Sequence, residues 1–126
     1  MFIAFASSDR LTIDSHFASA SSFEIFKLGN DGQEINRKSL VTEITEQSPA
    51  KESHDKVNVQ ISQLRECAIV YCTQIGGPAA ARLVQSGIHP LKVPEGTRID
   101  EELNKLNKLL LSKKLPPWLK KKLYDL

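Results

Sequence analysis

A corner between an apolar run and a helix start is the part of this chain best suited to chemistry. Cys67–Cys72 is apolar and partly β-branched, a pattern that predicts a buried strand. Gly76-Gly77-Pro78 follows, and a proline at a first helical position indicates that a helix begins there. Such a corner presents backbone N–H groups and the positive end of the helix dipole, which attract anions. The glycines either admit a bound group or let helix and strand pack closely, and the residues alone leave both uses open.

Arg82, Cys72 and His16 have side chains suited to holding an anionic or iron-containing group there. Arg82 falls roughly one turn into the predicted helix, within reach of the corner or of a carboxylate of the same chain. Cys72 ends the strand, and its thiolate would suit iron, although a buried cysteine is commonly only a small apolar residue. His16 lies in a loop of small residues, where its imidazole is either a borderline metal ligand or an ordinary surface group.

Phe17 and His89 complete the candidate site, in which His16 and Cys72 are the candidate metal ligands. Phe17 is placed beside His16 to shield a bound group from water, and His89 faces either the site or the core. The sequence has no Cys-x-x-Cys pair and no set of four ligands, which disfavours a permanent zinc or closed iron–sulfur site.

Motifs of the common enzyme classes are missing from the sequence. It contains no P-loop, no dinucleotide-binding glycine motif and no Gly-x-Ser-x-Gly elbow. Asp9, Asp14 and Glu24 are too scattered to predict a cluster that holds two metal ions. We therefore expect a protein that is not an enzyme.

The elements that would position these residues predict a mixed α/β domain. Strands are predicted over residues 2–7, 11–13, 23–28, 35–44, 67–72 and 88–93, with 11–13 antiparallel to the first and 35–44 near a sheet edge. Three helices are predicted. The first begins at residue 48 and follows the helical spacing of Val57, Ile61, Leu64 and Ala68, and the second covers 79–86 and ends at a Gly87 cap. The third begins at a Thr97 cap and has a buried stripe formed by Ile99, Leu103, Leu106 and Leu110. A hairpin turn at 29–32 and a short helix or hook at 116–119 complete the order. This order suits one mixed sheet with helices packed on it.

Size, charge and cysteine content indicate a single domain over residues 1–126. The start of the chain shows neither a signal peptide nor a membrane span, which predicts a cytoplasmic protein without a membrane partner. Cys67 and Cys72 are five positions apart on one strand, so we expect them on opposite faces and without a disulfide. The net charge of +2 conceals a basic C-terminal segment, 98–126, because residues 101–126 carry seven lysines and three acidic residues. That segment is either a solvated helix face or a contact for an acidic partner, nucleic acid or an anionic ligand.

Several segments of the chain occur together, in this order, in one known family. They are residues 4–9, 14–17, 75–82, 88–94 and 116–119. In these segments the chain resembles NifX-type proteins of the dinitrogenase iron–molybdenum cofactor-binding family, which also includes the NafY-type carriers. The resemblance covers nearly the whole chain, and the tail Pro116-Pro117-Trp118-Leu119 is typical of the NifX type.

The resemblance implies a ribonuclease H-like three-layer α/β/α fold with a mixed five-stranded sheet and no nuclease activity. It implies a carrier that transiently binds an iron–sulfur precursor of the iron–molybdenum cofactor. Its partners would be the nitrogenase cofactor assembly scaffold and the cluster-synthesising proteins, and not nucleic acid. The family's cluster-binding histidine stands in an Asp-x-His-Phe-Gly motif and corresponds to His16, although Ala18 replaces the glycine here. The Gly76-Gly77 corner and Arg82 would then stabilise the charge of the cluster.

Two other functions stay open at this point. One is a protein-interaction module of nitrogenase assembly that has no cluster of its own and acts through the basic segment and Trp118. The other is a metal-dependent nuclease, which the scattered carboxylates disfavour.

Overall fold

The computed structural model describes residues 1–28, 34–41, 59–112 and 117, and for 34–41 and 110–112 it describes the backbone alone. The strands are β1 (Phe2–Ala6), β2 (Thr12–Ile13), β3 (Ser22–Leu28), β4 (Glu34–Val41), β5 (Cys67–Cys72), β6 (His89–Lys92) and β7 (Thr97–Arg98). The helices are α1 (59–63), α2 (Gly77–Gln85) and α3 (Ile99–Ser112). The predicted mixed α/β class is confirmed.

One mixed sheet organises the molecule, with its strands in the order β4-β3-β1-β5-β6. The pairs β3–β4 and β1–β3 are antiparallel, whereas β1–β5 and β5–β6 are parallel. The edge position predicted for the strand in residues 35–44 is confirmed, since β4 is an outer strand, and β6 is the outer strand on the other side. Because β1, β5 and β6 run in the same direction, their carboxyl ends meet at one edge of the sheet, where α/β proteins bind ligands.

Alternating side chains of the strands form a core on each face of the sheet. On one face, Ala4 and Val70 pack with Leu64, which follows α1, and with Leu83 of α2. The other face is covered by α3. Its core includes these residues: Ile3, Phe5, Phe26, Ile69, Tyr71, Ile99 and Leu106. Helices therefore lie on both sides of the sheet, and the strands of this middle layer position the loops at its carboxyl edge.

A bulge at the start of β5 corrects one expectation. Phe2 pairs with Cys67 but Ile3 pairs with Ile69, so Ala68 is the extra residue. The bulge shifts the alternation by one, and Cys67 and Cys72 therefore both belong to the core on the α2 face. The prediction of opposite faces was wrong, whereas the prediction that Cys67 and Cys72 form no disulfide is confirmed.

Other differences come from pairings between distant parts of the chain. Thr12–Ile13 pairs with Thr97–Arg98 rather than with the first strand. Thr97 consequently lies in a strand, its hydroxyl donates to the carbonyl of Pro94, and α3 begins at Ile99 instead of after a Thr97 cap. Ala68 belongs to β5 and not to the preceding helix. The predictions for 29–32, for the helix start at 48 and for the hook at 116–119 lie outside the described residues, apart from residue 117.

Candidate functional site

The loop after β1 and the loop after β5 are joined at the carboxyl edge of the sheet. The Phe17 amide donates to the carbonyl of Gln74 over 2.8 Å, and the Thr73 amide donates to the carbonyl of Ser15 over 3.0 Å. His16 lies between these two hydrogen bonds and its side chain is exposed. The structure thus holds His16 alongside the segment that leads directly into the glycine corner.

The corner itself is an open helix N-terminus. Gly76 is the N-cap of α2 in an extended conformation, with φ −72° and ψ 153°, and no side chain caps the helix. The first turn contains no acidic residue, and its second position is Pro78, which has no N–H. The first amides of a helix have no acceptor within the helix, so those of Gly76, Gly77 and Ala79 suit an anion.

The space around the two glycines argues against close packing as the reason for them. A Cβ built on Gly76 or Gly77 meets no atom within 4 Å, so close packing of helix and strand does not require glycine. Neither residue has a positive φ. Gly77 precedes Pro78, whose ring disfavours a helical conformation for a residue with a Cβ. Gly76 has no such reason, and its missing side chain leaves room beside the free amides.

Two carboxylates shape the loop that carries His16. Asp9 accepts backbone hydrogen bonds from Thr12 (2.7 Å) and Leu11 (2.8 Å), which lower the pKa of Asp9 to about 2. Asp14 accepts hydrogen bonds from the Ser8 amide (3.0 Å) and the Ser15 hydroxyl (2.7 Å). Both carboxylates are used inside the loop, and among the described residues no group of three or more His, Cys, Asp or Glu side chains is arranged to hold a metal ion.

Phe17 anchors the loop and does not cover it. Its ring is fully buried and packs against Phe23, with 5.9 Å between the ring centroids. Its carbonyl accepts a 3.0 Å hydrogen bond from the Nε2 of Gln60, a side chain that is also fully buried. Gln60 is not predictable as a site residue from the sequence, since a glutamine among helical residues carries no signal of a long-range contact. In the structure Phe17 positions His16, and its buried ring is not available to shield a bound group.

Cys72 is close to the edge but points into the core. Its side chain is fully buried and its Sγ lies 3.9 Å from the carbonyl oxygen of Leu91. Burial raises the pKa of the Cys72 thiol to about 11, against which the charge of Lys92 acts in the opposite direction. Metal ligation needs the thiolate, so this environment disfavours Cys72 as a ligand.

We expect Cys72 to resist alkylation in the folded protein. A pKa near 11 leaves a thiolate fraction at pH 8 roughly 100-fold smaller than that of an ordinary cysteine, and burial slows access further. The measurement is the rate of iodoacetamide labelling at pH 8 in a Cys67→Ala background, native against urea-unfolded. Native labelling as fast as that of the unfolded chain would restore Cys72 as an accessible ligand.

The structure places His89 at the other end of its strand from the carboxyl edge and Arg82 in the wall of a groove. His89 is half-buried at the beginning of β6, opposite Ile69, three positions before the carboxyl edge, and burial lowers its pKa. Arg82 lines a groove with residues from the end of α2 and from α1.

Lys92 is the basic residue that the strands place at the edge. It pairs with Cys72 at the ends of β5 and β6, and its side chain is exposed. Lys92 was not predicted as a site residue, because its position at the edge depends on the β5–β6 register. A lysine at the end of a predicted strand was nevertheless a signal that could have pointed to it.

The fold and the edge together define an α/β domain that holds an exposed histidine beside an anion-attracting helix start. The chain belongs to the family described as "Dinitrogenase iron-molybdenum cofactor", whose model matches residues 1–109.

Curated relatives support the same membership. The chain is 32% identical over 121 residues to NifX of Sinorhizobium fredii, covering 94% of this chain and 75% of the relative. It is 35% identical over 123 residues to NifX of Herbaspirillum seropedicae, with coverages of 96% and 80%. NifY of Klebsiella pneumoniae is 33% identical over 121 residues, and the match covers 96% of this chain but only 50% of NifY.

A solved structure described as "Crystal structure of PH0822" matches the fold. The TM-score is 0.61 at 20% identity, covering 94% of this chain and 97% of the other. At this identity the likeness concerns the fold alone. Among the described helices, none has the length and apolar character needed to cross a membrane.

Proposed function

We propose that this protein is a non-catalytic carrier that binds an iron–sulfur precursor of the nitrogenase iron–molybdenum cofactor and passes it between assembly proteins. The observation that carries the proposal is the pairing of exposed His16 with the open start of α2, where Gly76 lacks a side chain for no reason of packing or backbone conformation. Membership of the cofactor family and relatives called NifX and NifY support it.

In this proposal the cargo is held by few and weak contacts. The His16 imidazole ligates an iron atom, and the amides of Gly76, Gly77 and Ala79 donate to the sulfide or other anionic atoms of the cargo. Lys92 adds a positive charge at the same edge. A carrier must release its cargo, so one ligand and several hydrogen bonds suit it better than a cage of cysteines.

The strand order supports a ribonuclease H-like classification of the fold. An antiparallel group formed by β4, β3 and β1 continues into parallel β5 and β6, and helices cover both faces.

The carboxylates near the edge, Asp9 and Asp14, accept hydrogen bonds within their own loop, which supports binding rather than nuclease chemistry at this site. The partners of a carrier would be the scaffold and the cluster-synthesising proteins of cofactor assembly.

The proposal is tested by an anaerobic titration with the isolated iron–sulfur precursor. The mixture is then separated by gel filtration and the protein fractions are analysed for iron. We expect iron to elute with the parent protein and to be lost from His16→Ala, because the proposed side-chain ligand is removed. His89→Gln is the matched control, since that histidine lies away from the edge, and it should keep its iron.

The two ways to fail have different meanings. If His16→Ala retains iron as well as the parent does, His16 is not the ligand. If the parent protein itself retains none, the carrier function is wrong, and a protein-interaction module acting through the basic segment 98–126 takes its place.

A further inference from the structure

Gln60, in α1, is a buried polar side chain whose hydrogen bonding is only half complete. It is fully buried, and its Nε2 donates over 3.0 Å to the carbonyl of Phe17, which lies 43 positions earlier in the chain. Only the nitrogen of a side-chain amide can donate to a carbonyl, so the orientation of the amide is fixed. Its Oε1 is buried and has no hydrogen-bond partner among the residues that the structure describes. A buried acceptor without a partner lowers stability, so stability gives little reason for a glutamine at this position.

The one hydrogen bond that Gln60 makes ties the loop that carries His16 to α1. The Phe17 carbonyl also accepts a longer bond of 3.4 Å from the Ala20 amide, but Ala20 belongs to the same loop. The Phe17 amide donates over 2.8 Å to the carbonyl of Gln74, just before the glycine corner. Phe17 is therefore fixed from α1 and from the end of β5 at once, and His16 is the residue directly before it.

We propose that Gln60 is a positioning residue of the cargo site, which holds the backbone beside His16 in place relative to the start of α2. This inference rests on the proposed function, in which His16 and the first amides of α2 bind the same cargo. Groups that orient a metal ligand matter for binding, and their removal typically lowers metal affinity about 10–100-fold. Because Gln60 acts through the Phe17 backbone, it fixes the ligand without touching the cargo.

Gln60→Met tests this role. Methionine has nearly the same length, but it has no hydrogen-bond donor and only a weakly accepting sulfur. We expect a Tm within about 4 °C of the parent's, because the lost hydrogen bond and the lost unpaired acceptor offset each other. Retention of the iron–sulfur precursor in the anaerobic titration should weaken about tenfold. Gln63→Met is the matched control, since Gln63 is exposed on the same helix, and it should change neither quantity.

Amide hydrogen exchange of the cargo-free protein gives a second readout, which does not depend on iron. In Gln60→Met the amides of Phe17 and Thr73, which join the two loops, should exchange about tenfold faster. Amides in the middle of β5 should exchange at the parent's rate, because the sheet itself is not loosened. A merely structural role would instead lower Tm and speed exchange in β5 as well.

The proposal is overturned if Gln60→Met retains the precursor as well as the parent does, or if its Phe17 amide exchanges no faster. A Tm more than about 4 °C lower, with faster exchange throughout β5, also overturns it, since Gln60 would then serve the fold. If Gln60→Met does not fold, Gln60→Leu takes its place, because leucine also fills buried space without a donor. Failure of both variants to fold has the same meaning as the lower Tm.

The failure of this inference and that of the proposed function are distinguishable. If the parent protein retains no iron, the proposed function is wrong and the role of Gln60 is wrong with it. If the parent and Gln60→Met retain iron equally well, the proposed function stands and only the role of Gln60 is removed.

Discussion

Gly76→Ala should fold as stably as the parent and yet bind the iron–sulfur precursor at least about tenfold more weakly. Alanine tolerates the φ of −72° and ψ of 153° found at Gly76, and its methyl group meets no atom within 4 Å. The same methyl group occupies the space through which an anion approaches the amides of α2. Hydrogen bonds to charged groups contribute about 1.5–3 kcal/mol each, and loss of one accounts for a tenfold effect.

The measurements are thermal unfolding of the cargo-free protein and the anaerobic iron titration. Gly76→Val extends the series, because a larger side chain should reduce binding further. Gly87→Ala is the contrasting control. Gly87 has φ 82° at the far end of α2, so alanine there should cost about 1–2 kcal/mol of stability and leave iron binding intact. Full binding by Gly76→Ala would show that the corner does not contact the cargo.

Local sequence patterns predicted the corner correctly because its features are local. An apolar β-branched run, a glycine pair and a proline each act on their own backbone, and β5 and α2 lie where these residues place them. The cap at Gly87 is local in the same sense, and its φ of 82° confirms it.

The assembly of the site depends on contacts that no local pattern encodes. Two backbone hydrogen bonds hold the residues on either side of His16 against Thr73 and Gln74, which precede the corner, and neither bond involves a side chain that sequence could identify. The orientation of Cys72 relative to Cys67 depends on the single extra residue at Ala68. Arg82 was predicted to reach the corner because it lies about one turn into the helix. In the structure it lines a groove together with residues of α1, and α1 comes from another part of the chain, so the local sequence does not show these neighbours.

Phe17→Ala tests the inference that the Phe17 ring supports the loop and does not cover the cargo. The ring is fully buried against Phe23, so its removal should lower the free energy of unfolding by about 3–5 kcal/mol. A loss of that size lowers Tm by roughly 10 °C or more. Phe17→Leu fills more of the space and should lose less stability.

Iron binding by these variants separates the two roles of Phe17. If Phe17 supports the loop, binding should weaken in proportion to lost stability, because two hydrogen bonds that position His16 depend on the same packing. They are the bond from the Phe17 amide to the Gln74 carbonyl and the bond from the Gln60 Nε2 to the Phe17 carbonyl. Phe17→Leu should then bind nearly as well as the parent at temperatures where both are folded. If Phe17→Ala instead unfolds at the parent's Tm but fails to retain iron, the ring touches the cargo directly. The role inferred from sequence would then replace the one inferred from burial.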